Sequence, residues 1–212
     1  MNGTAFATAR KAMVEEQLVP RGVKDRRVLD AMLEVERHRF VPEGLWHQAY
    51  EDRPLPVGHG QTISQPYIVA AMTEALSLAP GHRVLEIGTG TGYQTAILAR
   101  LCGSVFTVEI VRELSLEARK ALARAGARNV RFRMGDGNAG WPDFAPYDRV
   151  IVTAAAETMP QTLADQLADS GRMVVPIGPS GVQTLTLGVK HGSRLVQRGL
   201  MSCVFVPFVK QR

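Results

Sequence analysis

The sequence predicts an α/β fold built on a three-layer, doubly wound and mostly parallel sheet. An apolar run at residues 84–87 is followed by glycines at three alternate positions and then by helical spacing over residues 93–101. A strand, a glycine turn and a helix in this order form the nucleotide-binding corner of a doubly wound sheet. Beyond residue 104, strand-like and helix-like segments alternate, which is typical of a parallel sheet with helices on both faces.

Two helices are predicted before this corner. Residues 4–19 carry apolar side chains at helical spacing, and Thr4 is placed to cap that helix. Asp25 is a good N-cap for a second helix, which the run at 40–42 would end. Both helices would be an N-terminal addition to the sheet.

A segment without regular structure is predicted next. Residues 43–63 show no long periodicity and hold several prolines and glycines, which indicates a shaped loop. Loops of this length in a compact domain are often functional. Ser64 is placed to cap a third helix, with Pro66 in its first turn.

The remaining sequence supplies the other strands and helices. We expect helices at 112–125 and around 158–168, strands at 129–132, 147–152 and 172–176, and an antiparallel finish at 184–189 and 195–209. Because no internal repeat or flexible linker interrupts the chain, we expect one domain over residues 1–212.

The composition is typical of a globular protein. Of the 212 residues, 45% are hydrophobic and 21% are charged, which is enough to bury a sizeable core. The formal charge is +5, but the basic residues are scattered, so we expect no nucleic-acid partner. Cys102 and Cys203 are too few for a disulfide framework or a metal site. With no signal peptide and no membrane-spanning run, we expect a cytoplasmic protein without a membrane partner. We also expect a monomer.

The glycine turn predicts a nucleoside ligand other than a dinucleotide. A dinucleotide motif would need Gly or Ala at the position of Tyr93. The spacing is instead acidic-x-G-x-G-x-G from Glu86 to Gly92, which resembles motif I of class I methyltransferases that use S-adenosylmethionine. Glu109 closes the next apolar run, 21 residues after Gly88, where an acid can accept hydrogen bonds from both ribose hydroxyls.

The segment after the fourth strand constrains the methyl acceptor. Residues 154–156 are all alanine, so the chain lacks the [N/D]-P-P-[Y/F] clamp of many enzymes that methylate neutral nitrogen. It also lacks a Pro-Cys nucleophile at that point. The acceptor should therefore be nucleophilic already at neutral pH, and a carboxylate with a pKa of about 4 qualifies.

Several runs resemble the protein-L-isoaspartate O-methyltransferase family in order and spacing. They lie at 32–42, 55–70, 84–92, 135–137, 151–156 and 205–208. The resemblance covers roughly residues 12–210. Glu36 departs from the family's usual proline, which should shift a helix end and leave the site intact. The implied fold is Rossmann-like, with an N-terminal helical extension and an antiparallel C-terminal finish.

The resemblance implies a repair reaction on age-damaged proteins and peptides. A methyl group passes from S-adenosylmethionine to the free α-carboxylate of an L-isoaspartyl residue, which leaves S-adenosylhomocysteine. The ester then collapses to a succinimide that can reopen to normal aspartate. Because the carboxylate is its own nucleophile, catalysis should consist of positioning and desolvation. The same resemblance divides the domain into N-terminal helices and substrate loop (1–80), cofactor-binding core (81–178) and C-terminal strands (179–212).

The family's site residues carry over to matching positions. The cofactor set is Glu86, Gly88, Thr89, Gly90, Gly92, Tyr93, Gln94, Glu109, Ile110, Gly135, Asp136, Gly137 and Thr153. The substrate set is Thr62, Ile63, Ser64, Val206 and Pro207, with Ser64 as the catalytic residue that holds the substrate carboxylate or the donor by a hydrogen bond. No metal is implied. From the residues alone, Ser64 equally fits a helix cap, Asp136 a turn carboxylate, and His59 a loop histidine with a structural hydrogen bond.

Three other functions stay open at this point. They are another carboxyl- or small-molecule O-methyltransferase on the same fold, an RNA-directed methyltransferase, and a non-catalytic module that binds an adenosine nucleoside. The missing N-P-P-Y motif argues against base-nitrogen chemistry. The run at 62–66 favours the isoaspartyl enzyme over a generic small-molecule enzyme.

Overall fold

The structure, a computed structural model, describes residues 3–208 and begins with helices. Helix α1 (Gly3–Ala12) continues into a π-helical turn at Met13–Leu18, and α2 (Arg26–Glu34) follows. The Asp25 carboxylate accepts a hydrogen bond from the Arg27 amide, which confirms the predicted cap. Two other expectations were wrong. Thr4 lies inside α1, and α2 ends six residues before 40–42 because Val35 takes an extended backbone.

The segment 43–63 is more regular than predicted. A 3₁₀ helix at Glu43–Gln48 precedes an antiparallel hairpin of β1 (Leu55–Gly58) and β2 (Gln61–Ile63). Gly58, His59 and Gly60 all have positive φ at its turn, a conformation that glycine adopts without steric cost. Such short strands leave too few alternations to be seen in the sequence.

Helix α3 (Pro66–Leu76) begins one residue later than a Ser64 cap requires. Gln65 occupies the N-cap position with φ of −50° and ψ of 137°, and no side chain among the described residues caps the helix. A residue that precedes proline is disfavoured in the helical region, which explains the late start. The predicted capping role of Ser64 is therefore wrong.

A seven-stranded sheet forms the centre of the molecule, in the order β5-β4-β3-β6-β7-β8-β9. The strands are β3 (Arg83–Ile87), β4 (Ser104–Glu109), β5 (Val130–Met134), β6 (Tyr147–Val152), β7 (Leu167–Ile177), β8 (Gln183–His191) and β9 (Arg194–Cys203). The strands from β5 to β7 are parallel, whereas β8 and β9 add antiparallel. The predicted doubly wound sheet with an antiparallel finish is confirmed.

Helices on both faces complete three layers. Along β3 the side chains alternate, so that Val84 joins a core with α1–α3, α4 (Tyr93–Leu101) and α5 (Arg112–Arg124). Leu85 and Ile87 join a second core on the opposite face with α6 (Gln161–Asp165). This alternation is the two-residue period of a strand buried on both faces.

The C-terminal half departs from prediction at three places. Helix α6 has only five residues, because the chain from Leu167 onward already pairs in β7. Strand β5 runs to Met134, two residues beyond its predicted end. Strand β9 stops at Cys203, so residues 204–208 are not strand, and residue 209 lies outside the described residues. No helix within residues 3–208 is long and apolar enough to cross a membrane.

Candidate active site

The glycine turn after β3 is shaped by close packing. Gly88 has φ of +91°, and a Cβ there would overlap the Thr153 hydroxyl. That hydroxyl donates hydrogen bonds to the carbonyls of Ile87 and Gly88, at 3.0 and 2.8 Å. Gly90 has φ of +54°, and apart from its two chain neighbours no described residue has an atom within 4 Å of where its Cβ would stand. Thr153 therefore fixes the start of the turn, and open space lies beside Gly90.

Gly92 has a packing role that the sequence analysis did not predict. It lies outside the cavity next to the turn, and a Cβ on it would stand 3.0 Å from Leu122 of α5. Its φ of +90° also excludes most other residues. Gly92 thus permits α5 to pack against the start of α4, and its expected contact with the cofactor stays a prediction.

Glu109 ends β4 beside the glycine turn, as predicted, and is only 6% exposed. One carboxylate oxygen accepts a hydrogen bond from the Gly90 amide at 2.8 Å. The other accepts from the amides of Ile110 and Val111, at 3.0 and 2.9 Å. Because the carboxylate lines the cavity while holding these amides, it joins the glycine turn to the N-terminus of α5.

Glu86 lies beneath the turn rather than in the cavity. It is fully buried, and one oxygen accepts hydrogen bonds from the hydroxyls of Thr95 and Thr107, both at 2.6 Å. The Thr107 hydroxyl also bonds to that of Thr89, at 2.6 Å, which extends the network into the turn. The other Glu86 oxygen has no partner among the described residues. Burial raises the pKa of Glu86 to about 8. The side chain lies outside the cavity lining and bonds to the threonines beneath the turn, so its predicted contact with the cofactor stays a prediction.

The loop after β5 reaches the cavity only through Gly137. The Asp136 carboxylate accepts hydrogen bonds from the backbone and side-chain nitrogens of Asn138, at 2.8 and 2.7 Å. These bonds give Asp136 the role of a turn carboxylate that caps a 3₁₀ turn. Gly135 and Asp136 do not line the cavity, so their predicted contact with adenine stays a prediction.

A cavity of about 310 Å³ lies over the carboxyl ends of β3 and β4. It is lined by fourteen of the predicted site residues: Thr62, Ile63, Ser64, Gly88, Thr89, Gly90, Tyr93, Gln94, Glu109, Ile110, Gly137, Thr153, Val206 and Pro207. This is the size and position expected of a small-molecule site in an open α/β sheet. The carboxylate of Glu109 beside open space, with apolar walls from Val108 and Ile110, fits the nucleoside of S-adenosylmethionine.

Some lining residues escaped the sequence analysis. They are mainly apolar, and include Val69, Val111 and Leu114. Leu114 lies in the first turn of the helix that follows Glu109. Its position five residues after the acid could have predicted that it lies near the cofactor site. Val69 comes from the buried face of α3, which no local motif connects to the site.

Arg37 is a further residue that the sequence analysis missed. It is fully buried, its Nε donates a hydrogen bond to the Ala49 carbonyl at 2.7 Å, and its guanidinium carbon lies 4.9 Å from the centre of the Tyr93 ring. Burial lowers the pKa of Arg37 to about 10, and the guanidinium remains charged at neutral pH. The cation–π contact connects the helical N-terminus to a ring that lines the cavity.

Ser64 lies where two cavities meet. A second cavity of about 550 Å³ adjoins the first, and Thr62, Ser64, Thr153 and Val206 line both. The Ser64 side chain is partly exposed, and its hydroxyl makes no hydrogen bond to any other residue in the described range. The hydroxyl is therefore available to a ligand at the junction.

His59 does not take part in this arrangement. It is exposed at the turn of the β1–β2 hairpin, with φ of +54°, and it lines neither cavity. Within residues 3–208 its ring makes no hydrogen bond, so the expected structural bond is absent. The same residues contain no cluster of His, Cys, Asp or Glu that could hold a metal ion.

Comparison with known proteins gives consistent matches along the chain. The sequence model of the family described as Protein-L-isoaspartate(D-aspartate) O-methyltransferase (PCMT) matches residues 8–212. A relative from Synechococcus sp. (strain JA-2-3B'a(2-13)), named protein-L-isoaspartate O-methyltransferase, is 52% identical over 96% of this chain and 86% of its own. A relative of the same name from Geobacter metallireducens is also 52% identical, over 96% of this chain and 95% of its own.

Two solved structures have the same architecture. One, titled protein-L-isoaspartate O-methyltransferase, superposes with a TM-score of 0.83 at 34% identity and covers 93% of this chain and 65% of its own. The other, described as a beta-aspartate methyltransferase (PCMT) from Plasmodium falciparum in complex with S-adenosyl-L-homocysteine, gives a TM-score of 0.83 at 26% identity. It covers 95% of this chain and 99% of its own.

Proposed function

The chain belongs to the protein-L-isoaspartate(D-aspartate) O-methyltransferase family, and we propose that its two connected cavities are the donor and peptide sites of that reaction. The enzyme transfers a methyl group from S-adenosylmethionine to the free α-carboxylate of L-isoaspartyl residues, which starts repair through a succinimide. The observation that carries the assignment of the two cavities is Ser64, which lines both of them and whose hydroxyl has no hydrogen-bond partner within residues 3–208.

The acceptor needs placement rather than activation. A carboxyl with a pKa of about 4 is ionised at neutral pH, so no residue has to remove a proton. S-adenosylmethionine supplies a sulfonium methyl, to which the carboxylate oxygen bonds as the carbon–sulfur bond breaks and its electron pair goes to sulfur. Ser64 donates its hydroxyl hydrogen to the carboxylate and fixes its direction of attack, while the cavity walls exclude water.

The donor is held by the glycine turn and Glu109. The Glu109 carboxylate accepts hydrogen bonds from the ribose hydroxyls, and the open space beside Gly90 admits the ligand close to the backbone. Thr153 and the buried Glu86 network hold the turn in position by hydrogen bonds. Asp136 is assigned to the adenine end as the family pattern implies.

The peptide is held by segments from both ends of the chain. The Ala155 amide donates to the Val206 carbonyl and the Phe208 amide donates to the Ala155 carbonyl, both at 2.8 Å. These bonds hold Val206 and Pro207 in the wall of the first cavity, to which Thr62 and Ile63 of the hairpin also contribute. Such a clamp on the peptide backbone would place the carboxylate attached directly to Cα, and would leave the longer aspartyl side chain misplaced.

The broader assignments extend this proposal. We place the enzyme in the cytoplasm as a monomer that acts on age-damaged proteins, without a nucleic-acid or membrane partner. Support comes from the scattered basic residues and from the two cysteines, both free and buried. The large hydrophobic side chains that the described residues expose are also isolated from one another in sequence. We treat residues 1–212 as one domain, with boundaries near 80 and 178 between its three parts.

A methyl-transfer assay tests the proposed function. The full chain is incubated with radiolabelled S-adenosylmethionine and one of three acceptors: an isoaspartyl peptide, the matched aspartyl peptide, or tRNA. We expect kcat/KM for the isoaspartyl peptide to exceed that for the aspartyl peptide by at least about 100-fold, since misplacement by an ångström costs that much. Equal rates on both peptides would indicate a general carboxyl methyltransferase, and transfer to tRNA alone would overturn the proposal.

A further inference from the structure

The second cavity extends away from the donor site and has its own chemistry. Fourteen residues line it, and four of these also face the first cavity. Its outer part is formed by the C-terminal segment around Val204 and by Pro54, Tyr67 and Arg21. Val204 is 72% exposed, so this part is open to a polypeptide. A substrate whose isoaspartyl carboxylate lies at Ser64 would place neighbouring residues here.

Arg21 is the only Asp, Glu, Lys or Arg among the described residues that line this cavity. Its guanidinium carbon lies 3.5 Å from the centre of the Tyr67 ring, which holds the plane of the guanidinium by a cation–π contact. One terminal nitrogen donates to the Asp52 carboxylate at 2.7 Å. Asp52 itself does not line the cavity, so among the described residues the guanidinium is the only charged group that faces it, with its charge partly neutralised by Asp52.

The guanidinium keeps donors free for a ligand. It carries five N–H groups in a planar fork that matches a carboxylate. In the described part of the chain its side chain bonds only to Asp52, and 42% of it is exposed. Arg21 can therefore donate hydrogen bonds to a second carboxylate while Tyr67 and Asp52 hold it in position. A lysine or arginine of the peptide at the same place would be repelled by the positive charge of Arg21.

We propose that Arg21 reads the side chain of a residue close to the isoaspartate, and that the groove favours an acidic residue there over a basic one. The inference rests on the proposed function, because it takes the second cavity to be the peptide site. The effect is modest beside the isoaspartyl preference, since Arg21 is partly exposed and already paired with Asp52.

A peptide series tests the inference. Isoaspartyl peptides carry Glu, Gln or Lys at each of the two positions on either side of the isoaspartate, and kcat/KM is measured at low salt and at 0.5 M salt. We expect Glu to exceed Lys by about fivefold or more at one position at low salt, and by less than about twofold at high salt. Arg21→Gln should bring the ratio to about one, whereas Asp52→Asn, which leaves Arg21 unpaired, should increase it.

A matched control separates this effect from general changes in charge. Arg26 is 81% exposed and pairs with Asp30 at 3.0 Å on α2, and it does not line the cavity. Arg26→Gln should leave the Glu-to-Lys ratio unchanged. A wild-type ratio near one, or a ratio that survives Arg21→Gln, would overturn the inference while leaving the isoaspartyl preference intact. Failure to methylate any isoaspartyl peptide would overturn the proposed function and this inference together.

Discussion

Replacing Glu109 by alanine should weaken cofactor binding through two separable effects. A charge-assisted hydrogen bond contributes about 1.5–3 kcal/mol net of its exchange with water, and water entering the space left by the shortened side chain replaces part of the two lost bonds, so we expect a loss of about 2–4 kcal/mol. The carboxylate also accepts from three backbone amides, those of Gly90, Ile110 and Val111. Their loss loosens the turn and lowers stability, so a weakened affinity alone would not demonstrate a ribose contact.

Removing one hydroxyl from the ligand isolates the contact between Glu109 and ribose. Titration calorimetry is carried out with S-adenosylhomocysteine and its 2′-deoxy analogue, on the wild type and on Glu109→Ala. If Glu109 accepts a hydrogen bond from the 2′-hydroxyl, the deoxy analogue should bind the wild type about 1.5–3 kcal/mol more weakly and the variant nearly equally. The same loss on both proteins would remove Glu109 from ribose recognition, even if the variant bound every ligand poorly.

Three further predictions follow from the site. Ser64→Ala should lower kcat about 10–1000-fold in single-turnover assays while keeping the fold, and a methylated or acylated Ser64 in mass spectra would contradict a positioning role. Gly88→Ala should lower the free energy of unfolding by about 1–3 kcal/mol in denaturant melts, and adding Thr153→Ala should recover part of that loss. If the effects of the two substitutions simply add, the Cβ at position 88 does not overlap the Thr153 hydroxyl. The pKa of Glu86 is raised from 4.5 to about 8. Between these two pH values the folded state binds more protons than the unfolded state. The free energy of unfolding therefore falls as pH rises, by at most about 1.4 kcal/mol per pH unit. Glu86→Gln should remove that fall, and equal slopes in pH-dependent unfolding would refute it.

The cofactor corner could be predicted because its determinants are local. Three alternate glycines, an apolar run before them and an acid after the next strand all lie within about 25 residues of one another. Because the motif is local, its spacing does not show which contacts each residue makes in the folded protein. Gly92 matches the motif but serves a contact with Leu122, 30 residues away, and Glu86 matches it but points into the protein interior beneath the turn. Motif spacing identifies the turn without saying which side of it each residue faces.

The peptide side could be predicted only from family resemblance. Ser64 looks like a helix cap because the residues after it are helical, and only the restriction that Pro66 places on Gln65 moves the helix start beyond it. The hairpin is too short to show alternation, and Arg21 lies 43 positions before Ser64 with no motif between them. Contacts between segments so distant in sequence leave no local signal.

The division of labour between chain segments has an evolutionary consequence. The first cavity is lined largely by residues from 87–114, whereas most residues of the second lie near 54–68 and 201–206. In the proposed function the first cavity holds the donor and the second holds the acceptor. Substitutions in the two outer segments can therefore change which molecule is methylated without disturbing the glycine turn, Glu109 or their hydrogen bonds. A lineage that acquired a new acceptor would be expected to retain residues 84–92 and to diverge first in the hairpin and the segment after β9.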